Sequence, residues 1–231
     1  MPFVFNFTPV FNEWPRLLDG LVLTLILSVA GIVLGTALGV GLAVARAVAP
    51  RPVGAVIQGY VEIIRNTPFL VQLFIIFFAL PPLGLRLTAP QASVLALTIN
   101  LGAYATEIVR AGIESVHKSQ IEAGQSLAMT RLQVFRYVVL LPALARVWPA
   151  LCSQFVLMML STSVCSFISV EEMSGMAQSI ESQTFRSFEV YIVVTGVYLV
   201  LAVLLRLGLA GLGRVLFPSG SGLGRLRTAS P

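Results

Sequence analysis

The sequence predicts an all-α membrane protein with five transmembrane helices, because of its composition and its long apolar runs. Of the 231 residues, 57% are hydrophobic and only 11% are charged, whereas soluble domains carry roughly 25% charged residues. The mean hydropathy is +0.91. No charge interrupts Leu21–Ala45 or Tyr191–Leu205. About 20 such residues cross a bilayer as a helix, which satisfies its own backbone polar groups there.

Five segments of the chain have the length and composition of a membrane span. The first is too long for the core of a signal peptide and lacks a convincing cleavage site, so we expect it to remain as a helix. None alternates apolar and polar residues as the strands of a membrane barrel do. The spans are expected at roughly Leu17–Ala45, Gly54–Leu80, Pro90–Ala111, Ala143–Val164 and Phe188–Val215.

Charge predicts the orientation of these spans. Most arginines fall on the side that carries the C-terminus, so the positive-inside rule predicts an outer N-terminus and a cytoplasmic C-terminus. This topology explains the net charge of +5, which therefore gives no reason to expect nucleic acid. We expect residues 1–16 to form an outer segment, 17–217 a single membrane domain, and 218–231 a disordered cytoplasmic tail rich in Gly, Ser and Arg.

Residue types that commonly bind metals are few. Cys152 and Cys165 have neither metal-ligand spacing nor a nearby histidine, so we interpret them as packing residues in or near the fourth span. The lone His117 lies between spans. No metal site is expected.

A polar stretch, Gln120–Pro142, separates the third and fourth spans. Ser119–Glu122 and Thr130–Gln133 both have the spacing of a capping box at a helix N-terminus. We therefore expect two short helices, near Gln120–Ala128 and Arg131–Leu140, the second ending at the proline that opens the fourth span.

The first of these helices has a face with almost no side chains. Gly124 and Ala128 are four residues apart and share one side of the helix, where another protein could approach the backbone. The pattern leaves two interpretations open. The segment is either a docking helix for a soluble partner or a surface linker in which Glu122 only caps.

The polar stretch resembles the cytoplasmic coupling motif of ATP-binding-cassette (ABC) importer permeases, which reads E-A-A, three residues, G, nine residues and I-x-L-P. Glu122, Ala123 and Leu141-Pro142 match it at the expected spacing. Gly124 replaces the third motif residue, and Ala128 replaces the later glycine. If that glycine position requires a positive φ, alanine there costs roughly 1 kcal/mol.

Flanking segments narrow the resemblance to the polar amino-acid branch, the histidine, glutamine, glutamate, arginine and opine permeases. Gly59–Phe74 is similar to Y-x-E-x-x-R-G-T-P-x-x-V-Q-L, with Asn66 in place of glycine, and Gly102–Gly112 is similar to G-A-Y-x-x-E-I-x-R-G-G. Leu160–Val164 departs from the branch, because it lacks the lysine and aspartate of L-K-D-T-S-L.

The resemblance implies a type I ABC importer permease fold, with a coupling-helix loop at about residues 113–142. It implies a permease subunit of a bacterial cytoplasmic-membrane importer for polar amino acids or related compounds, and not an enzyme. The implied partners are two cytoplasmic ATPase subunits, a second permease subunit (the same chain or a paralogue), an extracytoplasmic amino-acid-binding protein and lipid. The expected ATPase-coupling residues are Glu122, Ala123, Gly124, Leu127 and Ala128.

ATP and Mg²⁺ are expected on the partner ATPase, with no cofactor on this chain. The nearest candidate phosphate loop, Gly112–Ser119, has His117 where a glycine would let the backbone approach a phosphate. The alternatives are an ion-gradient-driven carrier or channel, which would lack a use for the polar helix pair, and an intramembrane enzyme, for which no span holds a catalytic set.

The second span is interrupted by Pro68, which breaks a helix. Thr67 is a candidate cap for a half-helix whose free amides suit a carboxylate. The alternative is a surface helix, Gly54–Arg65, that turns into the membrane at Thr67-Pro68 and carries Glu62 and Arg65 as a surface pair.

Polar residues in other spans complete the candidate path. Asn100, Tyr104 and Glu107 share one face of the third span, where they line the path or bond neighbouring helices, and Glu107 with Arg110 is expected to be a structural pair. Serine and threonine at the outer end of the fourth span either line the path or bond helix carbonyls. The substrate-path candidates are Asn66, Thr67, Gln72, Asn100, Tyr104, Ser161, Thr162 and Ser163.

Two further patterns concern packing and the outer loop. Gly31, Gly35 and Gly39 form a ridge of small residues, which we expect to pack within the chain rather than at a dimer seam. Glu171-Glu172 resembles the acidic outer loop of the family, so contact with the binding protein and a solvated loop both stay open.

Overall fold

The computed structural model describes residues 5–217, and this part of the chain is helical with no strand. It also contains a π-helical segment, Val134–Leu140, and a 3-10 segment, Thr162–Ile168. The predicted tail at 218–231 lies outside the described residues. The helices are α1 (Thr8–Asn12), α2 (Trp14–Val48), α3 (Arg51–Arg65), α4 (Phe69–Ala79), α5 (Ala89–Glu114), α6 (Lys118–Ser126), α7 (Arg131–Gln133), α8 (Leu141–Ser161), α9 (Met173–Thr184) and α10 (Ser187–Leu216).

Four helical stretches within residues 5–217 are long and apolar enough to cross a membrane: α2, α5, the continuous stretch Arg131–Ile168, and α10. The span expected over Gly54–Leu80 is broken at Pro68, as the sequence predicts. α3 and the segment that begins with α4 meet at 106°, so they provide a fifth crossing only as a bent unit. α3 is the surface helix of the alternative, since it buries Ile57 and Val61 and exposes its charged side chains.

Pro68 explains the bend between α3 and α4. It is extended, with ψ 136°, has no N–H to continue the helix, and disfavours helical geometry in the residue before it. Thr67 does not cap α4 as predicted, because its hydroxyl donates back to the Ile63 carbonyl at 2.8 Å. The predicted Glu62–Arg65 pair is also wrong, and Arg65 instead lies 4.0 Å from Glu107.

The contact between α2 and α5 is the most extensive in the described chain, and the glycine ridge makes it possible. A Cβ atom on Gly35 would meet Leu101 Cβ at 2.8 Å, and one on Gly39 would meet Ala105 Cβ at 2.5 Å. Both distances are below van der Waals contact, so only glycine fits. The prediction that the ridge packs within the chain is confirmed.

The second helix of the polar stretch runs into the fourth span without a break. Pro142 was expected to end that helix, but Arg131–Ile168 is continuous. Proline cannot donate to the carbonyl four residues earlier, at Val138, and the turns before it widen to the π form at Val134–Leu140. The extra width accommodates the proline ring inside the helix.

Glu172 is fully buried where α2, α9 and α10 meet, so it contacts neither solvent nor a soluble partner. Its Oε1 accepts from the amides of Ser174 and Gly175 at 2.8 and 2.9 Å, which caps α9. Its Oε2 accepts from Tyr198 at 2.7 Å and Thr24 at 3.2 Å. Burial raises the pKa of the Glu172 carboxyl, and these donors oppose that shift. Of the acidic pair, only Glu171 is exposed.

We expect Gly39→Ala to destabilise the protein by about 1–3 kcal/mol, because the added methyl overpacks the α2–α5 contact. The measurement is the thermal midpoint of the purified chain in detergent. Gly41→Ala is the matched control, since nothing lies within 4 Å of its Cβ position. An equal midpoint for the two variants would contradict the contact described above.

Candidate functional site

A polar cavity of about 460 Å³ lies between the α3–α4 break, α5 and α8. Four predicted path residues meet there, from three separate segments: Thr67, Asn100, Tyr104 and Ser161. The remaining wall is Phe69, Gln154, Leu157, Leu160 and Val164.

Hydroxyl and carboxamide groups supply the polarity of this cavity. Among the described residues that line it, none is charged. Hydroxyls and carboxamides both donate and accept hydrogen bonds, while Leu157, Leu160 and Val164 leave an apolar wall. The cavity therefore offers both hydrogen-bond donors and acceptors to a small polar solute.

Gln154 is the lining residue that the sequence reasoning missed. It is half-buried on α8, seven residues before Ser161 and so on the same side of that helix. A carboxamide inside an otherwise apolar span was the available signal, because such groups usually face a bundle interior or water.

Three predicted path residues lie outside this cavity, and Gln72 lies behind its wall. Asn66 lines a neighbouring cavity of about 220 Å³, which Tyr104 shares. Thr162 is fully buried and donates to the Met159 carbonyl at 2.7 Å. Ser163 donates to the Leu160 carbonyl at 2.7 Å and faces α10 across a third cavity.

Gln72 connects the junction between α3 and α4 to α5 through hydrogen bonds. Its Oε1 accepts from Asn100 Nδ2 at 2.9 Å. Its Nε2 lies 2.7 Å from the Ile64 carbonyl and 2.8 Å from Thr67 Oγ1. The same bonds set the positions of Asn100 and Thr67, so Gln72 shapes the cavity without lining it.

Charged groups collect beside Tyr104, toward the end of α5 that leads to α6. The Arg65 guanidinium lies 5.4 Å from the centre of the Tyr104 ring, within the range of a cation–π contact. Glu107 and Arg110 form the predicted structural pair, with bonds of 2.6 and 2.9 Å. This prediction is confirmed.

The helix α6 begins two residues earlier than the capping pattern predicts. Its N-cap is His117, whose Nδ1 accepts from the Ser119 amide at 3.3 Å, so the box at Ser119–Glu122 is wrong. His117 has extended backbone geometry, which lets the helix start at Lys118. The box at Thr130–Gln133 is confirmed, with both reciprocal bonds present.

Of the two residues on the bare face of α6, Gly124 points into the protein. Gly124 is buried, and its Cβ position lies 3.3 Å from methyl groups of Val134 and Val138. Gly124 therefore does not approach another protein, whereas Ala128, the other residue of that face, is exposed. Glu122, Ala123 and Leu127 are also exposed, with Leu127 77% accessible.

Ala128 closes the turn after α6 with a φ of +57°. This left-handed geometry costs an L-residue with a side chain roughly 1 kcal/mol relative to glycine. The reverse turn needs it, because the Met129 amide donates back to the Gly124 carbonyl at 3.2 Å.

Apolar spans around a polar cavity, with an exposed helix pair between two of them, define a membrane transport subunit. A model of the family described as binding-protein-dependent transport system inner membrane component matches residues 31–214, and the chain belongs to this family. It is an ABC importer permease and not an enzyme, since the ATPase is a separate subunit.

Known relatives align with this chain over most of their length. The chain is 36% identical to the probable glutamine ABC transporter permease protein GlnM of Bacillus subtilis, covering 88% of this chain and 94% of GlnM. It is 34% identical to the glutamine transport system permease protein GlnP of Escherichia coli, covering 87% and 93%. A crystal structure of an amino acid ABC transporter with histidines superposes with a TM-score of 0.84 at 34% identity, covering 92% of this chain and 99% of that one.

We expect Ala128→Gly to stabilise the turn by about 1 kcal/mol, because glycine adopts a positive φ without strain. The measurement is hydrogen exchange at the Met129 amide, which should slow. In Ala123→Gly, the matched control inside α6, helix amides should exchange faster, since glycine weakens a helix by about the same amount. Faster exchange at Met129 in Ala128→Gly would contradict the strain assigned to Ala128.

Proposed function

We propose that the imported solute is a polar amino acid or a related compound, and that it passes through the cavity lined by Thr67, Asn100, Tyr104, Gln154 and Ser161. The convergence of these neutral polar groups at one opening supports the proposal most directly. The similarity to glutamine permeases supports the same substrate class. Asn66, Gln72, Thr162 and Ser163 act beside this path rather than in it.

We also propose that α6 docks on a cytoplasmic ATPase subunit through Glu122, Ala123, Leu127 and Ala128. All four are exposed, and a leucine that is 77% exposed gives an apolar anchor for a groove on a partner. Gly124 contributes from the other side, because its small size lets α6 pack tightly on the segment that leads to α8.

Movement of α6 reaches the cavity through packed side chains. Val116, Val139 and Ala143 form a buried cluster at the base of α6 and the π segment. The helix then continues without a break to Gln154 and Ser161 in α8. A displacement of α6 thus tilts the continuous helical stretch Arg131–Ile168. The tilt changes the side of the membrane from which the cavity is accessible.

We propose the remaining partners from the family to which the chain belongs. Two ATPase subunits bind ATP and Mg²⁺ and act on two permease subunits, this chain paired with a copy of itself or a paralogue. An extracytoplasmic binding protein delivers the amino acid. The charge pattern supports an N-terminus outside and a C-terminus in the cytoplasm of a bacterial inner membrane, with α6 on the cytoplasmic side.

We expect Ser161→Trp to reduce uptake to the background level, because the indole fills the cavity. The assay is uptake of radiolabelled glutamine by proteoliposomes that hold the permease, its ATPase and its binding protein. Gly41→Trp is the control, since that position faces open space on α2. Full uptake by Ser161→Trp would exclude the cavity as the path.

We expect Leu127→Asp to abolish co-purification of the ATPase while membrane insertion stays normal, because a charge then replaces the apolar anchor. The readout is the ATPase-to-permease ratio after affinity purification. Leu83→Asp is the matched control, since Leu83 is 76% exposed and lies far from α6, between α4 and α5. An unchanged ratio in Leu127→Asp would remove the docking role of this residue.

A further inference from the structure

A groove of about 890 Å³, separate from the cavities described above, runs between α8 and α10 at the end of the bundle nearest α6. Its wall is mostly apolar, with Trp148 as the largest side chain. The indole fits against Gly213, where a Cβ atom would clash with Trp148 Nε1, and packs edge-to-face with Phe217 at 5.6 Å. Two cations, Arg206 and Arg214, line the same groove.

These two arginines have no carboxylate partner within the described residues. All ten acidic residues of the chain lie in that part of the sequence, and their ion pairs involve Arg16, Arg65, Arg110 and Arg186. Neither α8 nor any residue after Glu189 is acidic. A second copy of this chain presenting the same face would therefore bring only more arginine to the groove.

The groove lies at the depth of a lipid headgroup. Trp148 donates to the Leu209 carbonyl at 3.1 Å, which places these two residues at one level. From Trp148 to Ile168 the helix has the roughly 20 residues that cross the hydrocarbon core. Arg206 lies about 4.5 Å to one side of Leu209 along α10 and Arg214 about 7.5 Å to the other, so the two charges bracket the interface that tryptophan prefers.

We infer that this groove binds an anionic phospholipid, with the phosphodiester between Arg206 and Arg214 and one acyl chain along Val156 and Leu157. Basic pockets between transmembrane helices are a known way of holding such headgroups. The apolar wall favours a lipid over a free phosphate, which would leave Trp148, Val156 and Leu157 in contact with water. The assignment of this lipid to the cytoplasmic leaflet rests on the proposed orientation of the chain, whereas lipid binding itself does not.

The test is native mass spectrometry of the full-length permease in detergent, titrated with phosphatidylglycerol and separately with phosphatidylcholine. We expect the wild type to bind phosphatidylglycerol preferentially. Arg206→Gln and Arg214→Gln should each weaken that binding about fivefold, and the double variant about 25-fold, since each basic residue at a membrane surface contributes a similar increment. Phosphatidylcholine binding should not change.

Arg51→Gln is the control, because this exposed arginine opens α3, is absent from the groove, and should leave lipid binding unchanged. Equal phosphatidylglycerol binding by the double variant would overturn the inference. So would efficient cross-linking of two permease copies through Cys152→Ala/Ser153→Cys, because a second copy would then occupy the groove. Neither outcome depends on uptake of amino acid, so the proposed transport function is tested separately.

Discussion

The carboxamide of Gln72 supplies donors to backbone carbonyls that have no partner inside α3 or α4 where these helices separate. Gln72 Nε2 donates to the Ile64 and Thr67 carbonyls at 2.7 and 3.1 Å, which pairs backbone groups at the 106° bend. The other end of the same side chain bonds Asn100 on α5. One buried residue therefore holds the bend, fixes it on the central helix, and leaves Thr67 and Asn100 facing the cavity.

Close packing links the exposed surface of α6 to this cavity. Gly124 brings α6 against Val134 and Val138, and the buried cluster around Val139 joins both to the base of α8. The π segment lets the helix pass through Pro142 without a break. The proposed coupling needs both tight contact and helical continuity, because a flexible loop would absorb a movement of α6 before it reached Gln154.

Local hydrophobicity predicted the fold class and most of the helix positions, and the order of the motifs predicted the family. The glycine ridge was assigned correctly because its four-residue spacing puts the small residues on one helix face. The sequence did not predict the surroundings of several other polar and small residues. Thr67 bonds backward instead of capping, His117 replaces Ser119 as the N-cap, Gly124 faces inward, and Glu172 is buried. Each outcome depends on tertiary neighbours and backbone angles, which spacing along the chain does not encode.

The glycine contacts between α2 and α5 also limit how this molecule can change shape. Ala105 fits only opposite Gly39, and Leu101 only opposite Gly35, so a slip of one residue along either helix would drive side chains into backbone. This packing fixes the register of the two helices in the described structure. The alternating access that we propose therefore involves the parts around them, namely the bent α3–α4 unit, α8 and the sparsely packed α10.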